Sequence, residues 1–247
     1  MILGGTKMAF SQTAATAPGV QLEDPLAYLP CSNVLEYRKG EVIYNQAQPS
    51  TSLYLVIDGK VRVSHCATDG KQIVVDIYQP DEFFGESVFL RLPMCSEEAR
   101  ALENTKLMAW TGAEVEEIAS RQPRLAVALL QVMVQRTMGF TQRIESLCVE
   151  NIGQRVARAL LRLAERMGTQ EKDGSVRMIP LTHELLAQYV GTSREVVTMH
   201  MNRLRREGYI RYSRKTLVLY SDALQDWLRR DTNRYGRGTL SAPESAA

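Results

Sequence analysis

The chain is poor in the residues that build metal centres and disulfide frameworks. Its 247 residues include four cysteines and three histidines. Cys31, Cys66, Cys95 and Cys148 lie far apart and form no Cys-x-x-Cys pair. That excludes a zinc ribbon or a thioredoxin-type motif and fits a reducing, cytoplasmic setting. No stretch of about 18 apolar residues occurs, so a membrane is not an expected partner. The opening segment MILGGTKMAFSQTAATAPGV has no basic start followed by a sustained apolar core. It reads as a flexible tail rather than a signal peptide, with Met8 as a second candidate start. Nucleophile–base pairs, glycine-rich phosphate loops and metal-ligand spacings are also missing, so no catalysis is expected.

What is present is a soluble-type composition with an uneven charge. Hydrophobic residues make up 45% and charged residues 23%, which suits two modest domains. Residues 1–150 hold 13 Lys and Arg against 18 Asp and Glu, a net of −5; the rest hold 17 against 10, a net of +7. A basic half joined to an acidic half fits one domain on nucleic acid and another facing elsewhere.

From Val34 to about Met108 short strands alternate with glycine turns. Examples are GEVIY (40–44), SLYLVI (52–57), GKVRVS (59–64) and KQIVVDIY (71–78), with Asp58-Gly59 and Asp69-Gly70 as hairpin-type turns. Such spacing suggests a roll or barrel. After Gly112 the period becomes helical: a short helix near 113–120, then a long one beginning at Pro123. On the long helix Ala126, Leu130, Met133, Thr137, Phe140, Ile144 and Leu147 step by alternating fours and threes, a heptad seam for pairing with a second copy. Leu129, Val132 and Met138 form a second apolar set, expected to pack on the roll. Asn151–Met167 reads as an amphipathic helix and 168–174 as an exposed loop. The expected division is a tail (1–22), a β-rich domain (23–122), a dimerisation helix (123–150), a DNA-binding domain (151–230) and a second tail (231–247).

Residues 180–220 carry the strongest signal. Thr182 caps a helix over His183–Val190, Gly191 ends it, and Thr192-Ser193-Arg194-Glu195 reads as a capping box that opens a second helix. Ala187, Val190, Val197, Met201 and Leu204 would supply the shared core. Tyr209–Tyr212 and Thr216–Tyr220 follow as a hairpin, the wing of a winged helix-turn-helix. The start of the second helix would enter the major groove of double-stranded DNA. Arg194 would then donate twice to guanine, and Glu195 would accept from cytosine N4. Thr182 and Ser193 at the helix starts, and the wing turn Ser213-Arg214-Lys215, are placed for phosphates. Thr198 and Met199, further along the second helix, complete the expected contact set.

With these motifs the chain resembles the cyclic-AMP receptor protein and fumarate–nitrate reduction regulator (CRP/FNR) family. The likeness spans about 30–222 and rests on KGEVIYNQAQPSTSLYLVIDGKVRVS (39–64), DEFFGES (81–87) and LTHELLAQYVGTSREVVTMHMNRLRREGYI (181–210). It implies an α+β chain: a cyclic-nucleotide-binding-like β-roll (jelly roll), a long dimerisation helix and a C-terminal winged helix. It also implies a homodimer on a palindromic promoter site, with RNA polymerase as a partner. Two departures stand out. Ala47 stands where the family usually has glycine, and Met199 replaces an arginine that reads DNA in well-known members.

The effector region departs further. Phe84-Gly85-Glu86-Ser87 matches the opening of the family's phosphate-binding cassette. Glu97 and Glu98 align, with one inserted residue, where its closing Arg-Ser pair is expected. A carboxylate about 4 Å from a phosphodiester repels it by about 4 kcal/mol at an effective dielectric near 20. Arg136 matches a family arginine on the long helix, and Phe140-Thr141 stand where adenine-contacting Thr-Ser is found. Cyclic AMP is therefore not expected as the effector. The N-terminal cysteine cluster of the iron–sulfur members is missing. A haem ligand would have to come from His65 beside Cys66, which read instead as hairpin surface or edge positions. His183 and His200 read as packed or phosphate-facing. Two other readings remain: a sensor gated by another small molecule or by thiol oxidation, and a nucleotide-binding regulatory subunit acting on a protein partner. The winged helix argues against the latter.

Overall fold

The computed structural model describes residues 22–66, 71–90 and 97–236. The chain divides into two compact units, with the boundary between Gly139 and Phe140. Asp69-Gly70, Cys95 and most of both expected tails lie outside the described residues.

Among the described residues the first unit is built on eight strands: β1 (Val34–Tyr37), β2 (Val42–Tyr44), β3 (Ser52–Asp58), β4 (Val61–Cys66), β5 (Gln72–Tyr78), β6 (Phe83–Phe84), β7 (Glu97–Ala101) and β8 (Thr105–Thr111). They form two four-stranded sheets, ordered β1-β8-β3-β6 and β2-β7-β4-β5, all pairs antiparallel. This is the expected jelly-roll layout. One local reading is corrected. Asp58-Gly59 does not close a hairpin, because β3 pairs with β8 and β6 while β4 pairs with β5 and β7. The turn carries the chain from one sheet to the other.

Side-chain alternation along β3 explains why this sheet is buried on both faces. Tyr54 and Val56 join Tyr44, Tyr78, Phe84 and Leu107 in the interior of the roll. Leu53 and Leu55 join Phe83, Trp110, Val115 and Leu125 in a second cluster. That cluster is covered by α1 (Gly112–Arg121) and the start of α2 (Arg124–Val149). Thr111 and Glu114 close a reciprocal capping box on α1. Leu129 packs here as expected. Met138 does not; it is 59% exposed. The Ala47 turn avoids strain, since Asp81 is the non-glycine residue with positive φ among those described. Asn45 Oδ1 instead accepts from the backbone N–H groups of Ala47 and Gln48, each at 2.9 Å, as an Asx turn does.

The second unit contains the rest of α2, then α3 (Ile152–Met167), β9 (Thr169–Gln170), β10 (Val176–Met178), α4 (His183–Val190), α5 (Arg194–Arg206), β11 (Ile210–Tyr212), β12 (Leu217–Leu219) and α6 (Ser221–Gly236). The strands pair in the order β11-β12-β10-β9. So the loop expected over 168–174 begins with a strand, and the wing hairpin is part of a larger sheet. The tail expected from residue 231 is corrected too: α6 continues to Gly236, with Leu224 and Leu228 buried. Asn151 and Gln154 cap α3, whose Val156, Leu160 and Leu163 are fully buried. The expected shared core of α4 and α5 is buried throughout.

Candidate nucleic-acid interface

Local chemistry sets both helix starts. Thr182 caps α4, its Oγ1 accepting from Leu185 N at 3.1 Å. Gly191 ends α4 at φ +76°, a conformation in which a side chain is disfavoured, while the N–H groups of Gly191 and Thr192 donate to Ala187 O. Ser193, not Thr192, is the cap of α5, accepting from Val196 N at 3.4 Å. The expected capping box is therefore absent, because Glu195 falls one position early for it. Thr182 and Ser193 use an oxygen lone pair as caps; the Thr182 hydroxyl proton is left to donate elsewhere, whereas that of Ser193 is directed to the Glu195 carboxylate.

The first turn of α5 displays Arg194 and Glu195 to solvent. The Glu195 carboxyl is held below the usual range by its own backbone N–H, then by Ser193, so it stays an acceptor at neutral pH. Met199 is 58% exposed. Thr198 departs from the expectation. Its hydroxyl donates to Arg194 O at 2.8 Å and lies 2.8 Å from His183 Nδ1, so it has no proton left for a base. The wing turn shows a similar departure. Ser213 Oγ donates to Thr216 O and accepts from the N–H groups of Lys215 and Thr216. Ser213 thus shapes the turn, while Arg214 and Lys215 are exposed. The His183 ring meets Tyr212 of β11, with centroids 5.6 Å apart. This places the wing beside the starts of α4 and α5.

A further interaction was not legible in the sequence. Arg143, near the end of α2, lies with its guanidinium 4.4 Å from the centre of the Tyr189 ring and donates to Tyr189 O at 3.2 Å. The last carbonyls of α4 attract a cation, but the two residues are 46 positions apart.

In the first unit the effector-region residues divide. Arg136 meets Glu86 at 2.5 Å, donates to Phe83 O and lies 4.9 Å from the centre of the Tyr78 ring. Burial works to lower its pKa, but nearby Tyr78 and Glu86 prevail and hold it above the usual value. Glu97 shares this surrounding: burial, then the Glu86 charge, raises its pKa, while His65 and Arg136 oppose the rise. Glu98 does not join them. Strand alternation turns it to the other face of β7, where it is paired with Arg100 at 2.9 Å and Arg62 at 3.2 Å. Those interactions, the Arg100 hydrogen bonds first, lower its pKa. Gly85 sits at φ +86° where a Cβ would lie 2.7 Å from Ser52 O, so glycine is required. Phe84 is buried in the aromatic stack, 5.1 Å from Tyr54 and 5.5 Å from Tyr78. Ser87 Oγ is buried without a hydrogen-bond partner. Phe140 and Thr141 fall on α2 in the second unit.

Along α2 the expected seam is largely uncovered. Leu130, Ile144 and Leu147 are 63%, 60% and 52% exposed, Thr137 is exposed, and Met133 and Phe140 are half-buried. Cys31, Cys66 and Cys148 are free thiols. No three His, Cys, Asp or Glu side chains cluster as metal ligands among the described residues, and His65 is an exposed strand residue. No described helix is long and apolar enough to cross a membrane.

Comparison with known proteins agrees with this geometry. The cyclic nucleotide-binding domain model matches residues 34–122, and the Crp-like helix-turn-helix domain model matches residues 154–227. A CRP-like cAMP-activated global transcriptional regulator of Mycobacterium tuberculosis is 34% identical over 198 residues, 76% of this chain and 84% of that protein. The cyclic AMP receptor protein of Thermus thermophilus is 30% identical over 188 residues, with 76% and 84% covered. Among solved structures, a CRP/FNR-family transcriptional regulator of Thermus thermophilus superposes with a TM-score of 0.66 at 28% identity, covering 80% of this chain and 98% of the other. FixK2 of Bradyrhizobium japonicum shares the fold at 21% identity, with a TM-score of 0.70 over 79% of this chain and 96% of its own.

Proposed function

The chain belongs to the CRP/FNR family of DNA-binding transcription regulators, and from that premise we propose that it acts as a cytoplasmic homodimer which reads a palindromic promoter site without cyclic AMP. The carrying observation is the exposed start of α5. Arg194 and Glu195 stand above the Ser193 cap, with the Thr182 hydroxyl and the basic wing turn available for phosphates. Arg194 reads guanine through O6 and N7, and Glu195 accepts from cytosine N4. Paired long helices, joined through the uncovered seam, set two reading helices about 34 Å apart, one turn of DNA. RNA polymerase is the partner that this family role implies.

Independence from cyclic AMP rests on the roll. Arg136 is already committed to Glu86, and the partly buried Glu97 adds a second acid near that pair. An anionic phosphodiester brought there meets excess negative charge. The Mycobacterium tuberculosis relative is named as cAMP-activated; in this chain the acids disfavour that ligand. A small molecule of other charge remains a second reading, favoured by the buried, unpartnered Ser87 Oγ.

The test is selection of bound sites from random DNA by the purified protein, with and without cyclic AMP. A twofold-symmetric site containing a G·C step, recovered equally in both arms, is the expected result. Its recovery only with cyclic AMP overturns the effector reading. The absence of any enriched symmetric site overturns the reader assignment.

A further inference from the structure

We propose that His183 is a positioning residue for base reading: it fixes the start of the recognition helix through Thr198 and does so in one tautomer only. This deepens the DNA-reading assignment above and rests on it.

The hydrogen bonds dictate the tautomer. The Thr198 hydroxyl has one proton, and it is given to Arg194 O at 2.8 Å. The same oxygen lies 2.8 Å from His183 Nδ1, so it accepts there and Nδ1 carries the hydrogen. In the neutral ring Nε2 is then an unprotonated acceptor. It is buried and has no partner, an environment that penalises a proton at that atom. Burial, and then the Arg194 charge, lower the His183 pKa in the same sense.

The chain His183–Thr198–Arg194 joins two elements, α4 and α5. His183 is the first residue of α4, and Thr198 and Arg194 lie one turn apart on α5. The ring also rests on Tyr212 of the wing strand. Arg194 is the first residue of α5, where the N–H groups lack helical partners, and the Thr198 hydroxyl adds a side-chain anchor at the Arg194 carbonyl. Its side chain can present two donors to a base only if this helix end is held. A displacement of about an ångström at a bidentate contact loses much of its selectivity. Thr198 is therefore a link rather than a base contact.

The amide of asparagine places a donor where histidine carries Nδ1–H, and the longer glutamine amide reaches the position of Nε2. The experiment measures binding of the full chain to the selected operator and its single-base variants for His183→Asn, His183→Gln, His183→Ala and Thr198→Val, with Arg194→Ala alongside. His183→Asn should keep wild-type discrimination within about twofold. His183→Gln, His183→Ala and Thr198→Val should each lose about tenfold at the guanine read by Arg194, out of the roughly 10- to 100-fold that a bidentate contact supplies. The double variant His183→Ala/Thr198→Val should lose no more than either single one. Equal discrimination for the asparagine and glutamine variants overturns the proposal, as does additive loss in the double variant. A uniform drop in affinity with the guanine preference intact does so too. If Arg194→Ala itself retains the preference, the reader assignment fails and this inference with it. If Arg194→Ala flattens the preference and His183→Ala does not, only this inference fails.

Discussion

The Glu86 carboxylate meets the Arg136 guanidinium at 2.5 Å, and the Arg136 side chain is only 11% exposed. The pair links the 3-10 turn that follows β6 to the middle of α2 within the first unit. It also occupies the cation that would otherwise greet an anionic ligand. Glu86→Gln leaves a buried positive charge without its partner. Because Glu86 is itself 37% exposed, solvent screening reduces the expected loss to about 1–3 kcal/mol. The double variant Glu86→Gln/Arg136→Met removes both charges and should recover most of it. Urea unfolding of Glu86→Gln, Arg136→Met and the double variant checks this; fully additive losses would show that the pair is not the interaction at stake. Calorimetry on the wild type should detect no micromolar affinity for cyclic AMP.

The uncovered seam leads to an assembly prediction. Leu130→Glu and Ile144→Glu each place a charge on a face that a partner helix would bury. Light scattering should show a dimer for the wild type and a monomer for either variant. Loss of simultaneous binding to two half-sites should weaken operator affinity by about a hundredfold or more. Ile73→Glu is the control, since Ile73 is 49% exposed on β5, away from the seam. A wild-type monomer at micromolar concentration, with the protein folded, removes the dimer from the reading.

Acid should loosen the winged helix. Burial, then the Arg194 charge, hold His183 below the usual imidazole value, and burial, then Arg203, do the same to His200. The folded state thus binds fewer protons than the unfolded chain just below the unfolded value of about 6.5. The stabilisation is complete above that value and is lost as pH falls from it through the folded values. Urea midpoints at pH 7.5 and 5.5 test the sign. The wild type should lose stability on acidification, and His183→Asn should lose less. Identical pH dependence in the two proteins would contradict the assigned neutral ring.

How much of this was legible in the sequence depends on how local each feature is. The helix-turn-helix could be read because caps, a glycine stop and a heptad-like apolar pattern are all short-range signals. Even there the cap falls one residue later than the pattern suggests, at Ser193 rather than Thr192. The pairing of β3 with β8 joins Leu53 to Trp110, and no local pattern encodes so distant a partner. Glu97 and Glu98 read as two members of one pocket because they align with the family's closing Arg-Ser pair, and β7, which lacks β-branched residues, does not read as a strand that would separate them. Once it pairs with β4, neighbouring glutamates must face opposite ways. The roles of Thr198 and Ser213 are hidden for a related reason: a hydroxyl placed near DNA reads as a DNA ligand until its own proton is accounted for.

The last prediction separates base reading from phosphate binding. Met199 lies one turn beyond Glu195 and is 58% exposed. It has no hydrogen-bond donor, so the base pair it faces should be weakly specified or read through a thymine methyl. Met199→Arg supplies a two-donor fork at that place. It should add a guanine preference at one new position per half-site, worth roughly 1–3 kcal/mol. Lys215 on the wing turn is exposed and acts as a point charge, so Lys215→Ala should weaken every sequence alike. It should also reduce the slope of log affinity against log salt by about one for each phosphate that is no longer neutralised. Binding over all single-base operator variants at several salt concentrations distinguishes the two. A sequence-dependent effect of Lys215→Ala, or a Met199→Arg protein with unchanged preferences and a steeper salt slope, would exchange their roles and move the reading surface away from α5.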